Sequence, residues 1–93
     1  MDDVSVEEAL ELCRKAKDKA VQNRASCLMI RSILYCAGYV ESAKEASHEA
    51  GKWAALIRSK APGSSFSKEA YELIKAADEA FYEAETHFKR RKR

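Results

Sequence analysis

Apolar residues recur every three or four positions along most of this 93-residue chain, and no segment alternates apolar and polar residues over a strand's length. This spacing places the apolar side chains along one face of an α-helix. Glycine is sparse, and the only proline lies in the segment KAPGSSFSK at residues 60–68, which has the composition of a loop. The pattern therefore predicts an all-α protein with long helices and one clear connection.

The first helix is predicted to begin after Ser5. Ser5 and Glu8 have the spacing of a capping box, in which each side chain bonds the backbone amide of the other residue. No residue beyond them forces an early end, so we expect one long helix up to Gly38, which suits a left-handed cap. A bend or interruption is expected near Asn23. If that break is complete, the chain has four helices and not three.

Two further helices are predicted. Ser42 and Glu45 repeat the capping-box spacing, which indicates a helix start and a helix that continues to Lys60. The last helix is expected after Ser67, and its apolar stripe continues as far as Phe88. Short connections between helices favour antiparallel neighbours. The expected fold is therefore a small antiparallel helical bundle.

We expect a single domain over residues 1–88, followed by a basic C-terminal tail at 89–93. Within the domain, the segment AGYVESAKEA at residues 37–46 resembles the turn of helical hairpins of the tetratricopeptide type and of the microtubule-interacting-and-transport type. In those hairpins a glycine, an aromatic residue and a small residue lie at the junction of two helices. The resemblance implies a hairpin turn here and carries no function with it.

The composition indicates a thin core. The chain has sixteen alanines, whereas Leu, Ile, Val and Phe together number seventeen. Alanine favours helices but buries little apolar surface. The window CLMIRSILYCAGYV at residues 27–40 is expected to be either the central helix of the bundle or a surface that pairs with another chain. The interface candidates from this window and the last helix are Leu28, Met29, Ile33, Tyr35, Tyr39, Tyr71 and Tyr82.

Charge is distributed unevenly. Residues 1–88 contain twelve Lys/Arg and fifteen Asp/Glu, a net charge of −3, whereas residues 89–93 carry +5. A second basic bias lies in residues 14–31. In an up-down-up bundle of three helices both regions would share one end, whereas in a four-helix bundle the acidic N-terminus would neutralise the tail. The polyanion-binding candidates are Lys89, Arg90, Arg91, Lys92, Arg93, Arg14, Lys15, Lys17, Lys19 and Arg24.

Candidate chemistry is limited. Cys13, Cys27 and Cys36 are odd in number and lack a C-x-x-C spacing, so we expect buried thiols in a reducing compartment. Glu45 and His48 have the i,i+3 spacing of di-iron helices, but no second such pair accompanies them. We therefore expect no metal and no cofactor. The chain also has no nucleophile elbow, Walker loop or dinucleotide fingerprint, and we expect no enzymatic activity and identify no small-molecule substrate.

These patterns predict a non-enzymatic protein–protein interaction module that associates with another protein or, through residues 27–40, with itself as a homodimer. The alternative is a nucleic-acid-binding accessory protein that uses its tail and the basic residues 14–31 with little sequence specificity. The acidic N-terminus lacks the apolar segment of a signal peptide, and residues 27–40 are too few to span a bilayer. We therefore expect a soluble, cytoplasmic protein, or a nuclear one if the source is eukaryotic.

Overall fold

Three long α-helices make up the part of the chain that the computed structural model describes, residues 4–92. They are α1 (Val6–Met29), α2 (Ile33–Lys60) and α3 (Ser65–Lys92), and this part of the chain contains no strand. The all-α prediction is confirmed. The four-helix alternative is not: Asn23 lies inside α1, where its side-chain amide donates to the carbonyl of Lys19 at 2.8 Å.

The helices α1 and α2 are antiparallel. Cys27 near the end of α1 lies against Cys36 in the first turns of α2, with their Sγ atoms 2.6 Å apart. At the opposite end of the bundle, Lys60 donates from its Nζ to the carbonyl of Val4 at 2.7 Å. The connection at residues 30–32 therefore reverses the chain direction.

The helices α1 and α3 are parallel. Arg14 contacts Glu69 in the first halves of the two helices, and Arg24 contacts Glu83 further along both. The bundle therefore runs up, down and up. As a result, the last turn of α3 lies beside the connection between α1 and α2.

Alanine forms most of the core. Of fifteen buried apolar residues in the described part of the chain, ten are alanine, and Leu10 and Ile57 are the only large aliphatic ones. All three cysteines are buried, as predicted. Trp53 and Leu73 are partly buried and pack against this alanine core. The helices can approach closely, but the buried apolar surface that holds them together is small.

The capping box at the start of α1 is present, as predicted: the Glu8 amide donates to Ser5 Oγ, and the Ser5 amide donates to Glu8 Oε1, both at 3.1 Å. The connection predicted within KAPGSSFSK is also present, between Lys60 and Ser65. Gly63 has a φ of 74°, a conformation that glycine adopts without strain. The helix α3 begins slightly earlier than predicted.

The predicted boundary between the first two helices is wrong. The helix α1 ends at Met29, and Ser32 caps α2 by accepting a hydrogen bond from the Tyr35 amide at 3.3 Å. The segment AGYVESAKEA lies inside α2, so the hairpin turn implied by its resemblance is also wrong, and Ser42 starts no helix. The physical reason is tertiary, since the buried residues Cys27 and Cys36 pack together and fix the turn between them.

Gly38 and Gly51 both lie inside α2, where glycine destabilises a helix by roughly 0.5–1 kcal/mol relative to alanine. A Cβ at Gly38 would meet nothing within 4 Å, whereas a Cβ at Gly51 would lie 3.2 Å from Ile74 Cδ1. We expect Gly38→Ala to raise the free energy of unfolding by about 0.5–1 kcal/mol. Gly51→Ala should raise the free energy of unfolding by less than Gly38→Ala does, or lower it, because the Ile74 side chain must move to accommodate the new Cβ. Urea denaturation followed by circular dichroism measures both, and equal gains would contradict close packing at Gly51.

Candidate interaction site

Exposed apolar side chains are concentrated at the turn between α1 and α2. Leu28, Met29, Leu34 and Tyr35 are all exposed, and we call these four residues the turn patch. Met29 is 83% exposed and Leu34 81%, so neither takes part in the core. Exposed apolar side chains that lie together on a small protein often mark an interaction site.

Helical geometry explains why these four residues face outward. Cys27 and Cys36 are fully buried on the inner sides of α1 and α2. Each step along an α-helix rotates the side chain by about 100°, so the two residues after Cys27 turn away from the core. The same rotation applies to the two residues before Cys36. The turn patch is therefore the outer surface of the segment that joins these two cysteines.

The structure brings together only some of the predicted interface residues. Leu28, Met29 and Tyr35 lie in the turn patch, whereas Ile33 is half-buried. Tyr39 is also half-buried, and it packs against Cys27, Cys36 and Ala84 in the core. Leu34 belongs to the patch but was not among the predicted residues. Only the position of the turn identifies it, and the apolar pattern gives no sign of that turn.

The two predicted tyrosines of α3 lie in different places. Tyr82 is exposed and lines a groove with Leu28, so it extends the turn patch toward α3. The same groove includes Thr86, His87 and Arg90. Tyr71 is also exposed, but it lines a separate hollow between α2 and the first half of α3. It therefore does not contribute to the turn patch.

Basic residues at the end of α3 lie along one side of the turn patch. The helix continues through Lys92, so four of the five basic residues at the end of the chain form its last turn, and Arg93 lies outside the described residues. The exposed cations at this end are Arg31, Lys89, Arg90 and Lys92, which we call the basic rim. The Lys92 ammonium also lies 5.4 Å from the centre of the Phe88 ring.

Arg91 differs from its basic neighbours because its guanidinium is bound to backbone. Its Nη1 donates to the carbonyl of Ile30 at 2.7 Å, and its Nη2 donates to the carbonyl of Arg31. These carbonyls belong to the turn that follows α1, where helical partners are missing. Arg91 thus links the end of α3 to the α1–α2 turn. It holds the backbone of the turn that carries the turn patch.

The predicted basic residues of α1 are in large part paired with acidic groups. Arg14 bonds Glu69 at 2.6 Å, and this hydrogen bond with the carboxylate charge raises the pKa of the Arg14 guanidinium. Arg14 also lies 3.4 Å from Glu11. Arg14 is in the first half of α1, so it is also distant from the basic rim.

The remaining cations of α1 add little to the basic rim. Lys17 lies 2.9 Å from Asp18, and the Arg24 Nη1 lies 2.7 Å from a Glu83 carboxylate oxygen on α3. The exposed lysines of this helix are Lys15 and Lys19. Neither lies in the α1–α2 turn or in the last turn of α3, where the basic rim is found. Apart from Arg31, which belongs to the basic rim, the basic residues of 14–31 therefore contribute little net positive field near the turn patch.

The side chains with metal-binding chemistry do not cluster in the part of the chain that the structure describes. Within residues 4–92, no group of three or more His, Cys, Asp or Glu side chains is placed to hold a metal ion. Glu45 and His48 are both exposed on α2. None of the described helices has both the length and the apolar character needed to cross a membrane.

Arg91→Ala should lower the free energy of unfolding by about 1–2 kcal/mol, because two turn carbonyls lose a charged donor. Arg90→Ala is the matched control: Arg90 is the neighbouring exposed cation, and its removal should change stability by less than about 0.5 kcal/mol. Thermal and urea denaturation compare the two variants. Equal losses would contradict a specific role for Arg91 at the turn.

Comparisons with known proteins add no family to this geometry. No protein-family model, curated protein or solved structure matches the chain. The turn patch, the basic rim and the contacts that hold them are therefore the features that bear on function.

Proposed function

We propose that this protein is a non-enzymatic interaction module that binds a partner protein through the turn patch. The observation that carries the proposal is that four exposed large apolar side chains occur within residues 28–35 of a chain whose core is short of such residues. Leaving them in water forgoes roughly 1.5–3 kcal/mol of burial free energy for each large side chain. A partner that covers the patch would recover part of that free energy.

The basic rim defines the chemistry of the partner. Arg31 lies within the turn itself, and Lys89, Arg90 and Lys92 lie on the last turn of α3 beside it. Charges at the edge of an interface steer association and select the partner more than they add affinity. The partner is therefore a protein segment that presents apolar anchor residues with Asp or Glu next to them.

A second copy of this chain is a weaker candidate for the partner. Self-association through the turn patch would bring two basic rims together, and like charges at close range oppose association. Salt would screen that repulsion and strengthen the dimer, whereas it would weaken binding to an acidic partner. The salt dependence of association thus distinguishes the two partners.

Selection from a phage-displayed library of random peptides tests this proposal. We expect the selected peptides to combine apolar anchors with acidic residues and to bind more weakly as salt is added. Leu34→Ser should weaken their binding about tenfold or more, because the loss of one buried leucine removes at least ~1.4 kcal/mol. Fluorescence anisotropy with synthetic peptides measures the affinities.

Tyr71→Ser is the matched control, since Tyr71 is also an exposed large side chain but lies away from the turn patch. Its variant should bind the selected peptides as the unchanged protein does. Equal binding by the Leu34→Ser variant, or selected peptides without acidic residues, would contradict the proposal. A concentration-dependent dimer that Leu34→Ser abolishes and that strengthens with salt would identify self-association instead.

Nucleic-acid binding is the second candidate function, and the parallel arrangement of α1 and α3 favours it. That arrangement puts the basic end of α3 beside Arg31 of the turn. However, Arg14, Lys17 and Arg24 are paired with carboxylates, so the available footprint is about the size of the basic rim. Binding would be weak, governed by phosphate contacts and almost independent of sequence.

The triple variant Lys89→Gln, Arg90→Gln and Lys92→Gln tests this second function without disturbing Arg91, which the turn needs. If the rim binds phosphates, the slope of log affinity against log salt for a single-stranded oligonucleotide should fall by about 2, close to 0.7 for each lost contact. Fluorescence anisotropy at several salt concentrations measures the slope. An unchanged affinity and slope in the triple variant would exclude nucleic-acid binding through the rim.

A further inference from the structure

Two buried thiols face each other beneath the turn patch. Cys27 and Cys36 are both fully buried, and their Sγ atoms are 2.6 Å apart. Ala84 of α3 packs against both cysteines, and its carbonyl oxygen lies 3.7 Å from Cys27 Sγ. The third cysteine is separate, because Cys13 Sγ bonds the carbonyl of Ala50 at 3.5 Å near the middle of the bundle. The fold thus selects one of the three conceivable cysteine pairs.

We propose that Cys27 and Cys36 form an intramolecular disulfide site. The geometry carries this inference: a disulfide requires an S–S bond of about 2.05 Å, and a small side-chain movement closes the remaining gap. The two residues come from different helices, so the bond would join α1 to α2. This inference does not depend on the proposed function.

The reaction needs a low-molecular-weight disulfide as oxidant. A thiolate of one cysteine attacks that disulfide, forms a mixed disulfide and releases one small thiol. The thiolate of the other cysteine then attacks the protein sulfur of the mixed disulfide and releases the second small thiol. The two protein thiols are oxidised to one disulfide, and the small disulfide is reduced to two small thiols. Those two small thiols carry the two protons that the protein thiols have lost.

Burial controls the rate of this reaction. Burial and, to a smaller extent, the Cys36 side chain raise the pKa of the Cys27 thiol to about 12. Few Cys27 thiolates therefore exist at neutral pH in the closed bundle, and the small disulfide cannot reach the sulfur until the turn opens. The same burial shields the disulfide from reductants once the turn has closed again.

The consequence of oxidation is a covalent ring around the turn patch. The ring would include residues 27–36, and so Leu28, Met29, Leu34 and Tyr35 would all lie on it. Closing such a loop removes conformations from the unfolded chain and stabilises the folded one. The gain matters here because the nearby core is small, with Ile30, Tyr39 and Phe88 only partly buried around the two cysteines.

Peptide mapping of the full chain tests the pairing. The protein is incubated with excess oxidised glutathione, its remaining thiols are alkylated, and it is digested with trypsin without reduction. Cleavage after Arg14, Arg24 and Arg31 places each cysteine in a different peptide. We expect one disulfide between the peptides 25–31 and 32–44, with Cys13 alkylated. A disulfide that includes Cys13, a persistent mixed disulfide or no disulfide after prolonged oxidation would overturn the proposal.

Thermal unfolding provides a second readout. Oxidation should raise the melting temperature by an amount on the order of 10 °C for a ring of this size in a small domain. Cys13→Ser should keep that increase, whereas Cys36→Ser should show no difference between oxidised and reduced samples. An unchanged melting temperature in a fully linked sample would overturn the inferred stabilisation of the bundle by this disulfide. If Cys36→Ser does not fold, the peptide map of the unchanged protein decides the question.

Discussion

The scarcity of large buried side chains is the constraint on which the rest of this structure depends. Alanine provides most of the buried contacts between the three helices. The helices therefore pack by close approach of their backbones and not by filling the space between them with large side chains. Small contacts at the edges consequently carry more of the stability than they would in a protein with a larger core. Leu28, Met29, Leu34 and Tyr35 are conspicuous in this setting. The protein leaves these four bulky apolar residues in water at the short turn that joins α1 to α2.

Helix direction gives that turn its electrostatic character. Because α3 runs parallel to α1, its basic end reaches the α1–α2 connection and not the acidic N-terminal region. One cation of that end, Arg91, binds the turn backbone, and its neighbours remain exposed beside the apolar residues. Along α1 the opposite occurs, since Arg14 and Arg24 are held by carboxylates of α3. The same two parallel helices thus neutralise positive charge along their length and concentrate it at their common end.

The sequence predicted those parts of the fold that have local causes. The Ser5 capping box and the connection around Gly63 are of this kind, and both are present. The α1–α2 turn is not, because it contains neither glycine nor proline and its only local signal is the cap at Ser32. It forms where Cys27 and Cys36 pack against Ala84, a residue distant along the chain. Gly38 lies inside α2, and the expectation that it caps the first helix placed the boundary between α1 and α2 too late in the sequence. Leu34 was missed for the same reason, since its exposure follows from the turn.

The bond from Arg91 to the turn has a consequence for local fluctuations. It joins the backbone carbonyls of Ile30 and Arg31 to the last turn of α3, which lies sixty-one and sixty residues away along the chain. Helix ends ordinarily fray independently, but here the end of α3 and the end of α1 share a contact. Unwinding at either helix terminus would break this contact, so we expect the two ends to open together. The backbone beneath the turn patch is therefore held by a helix end that lies far from it along the chain.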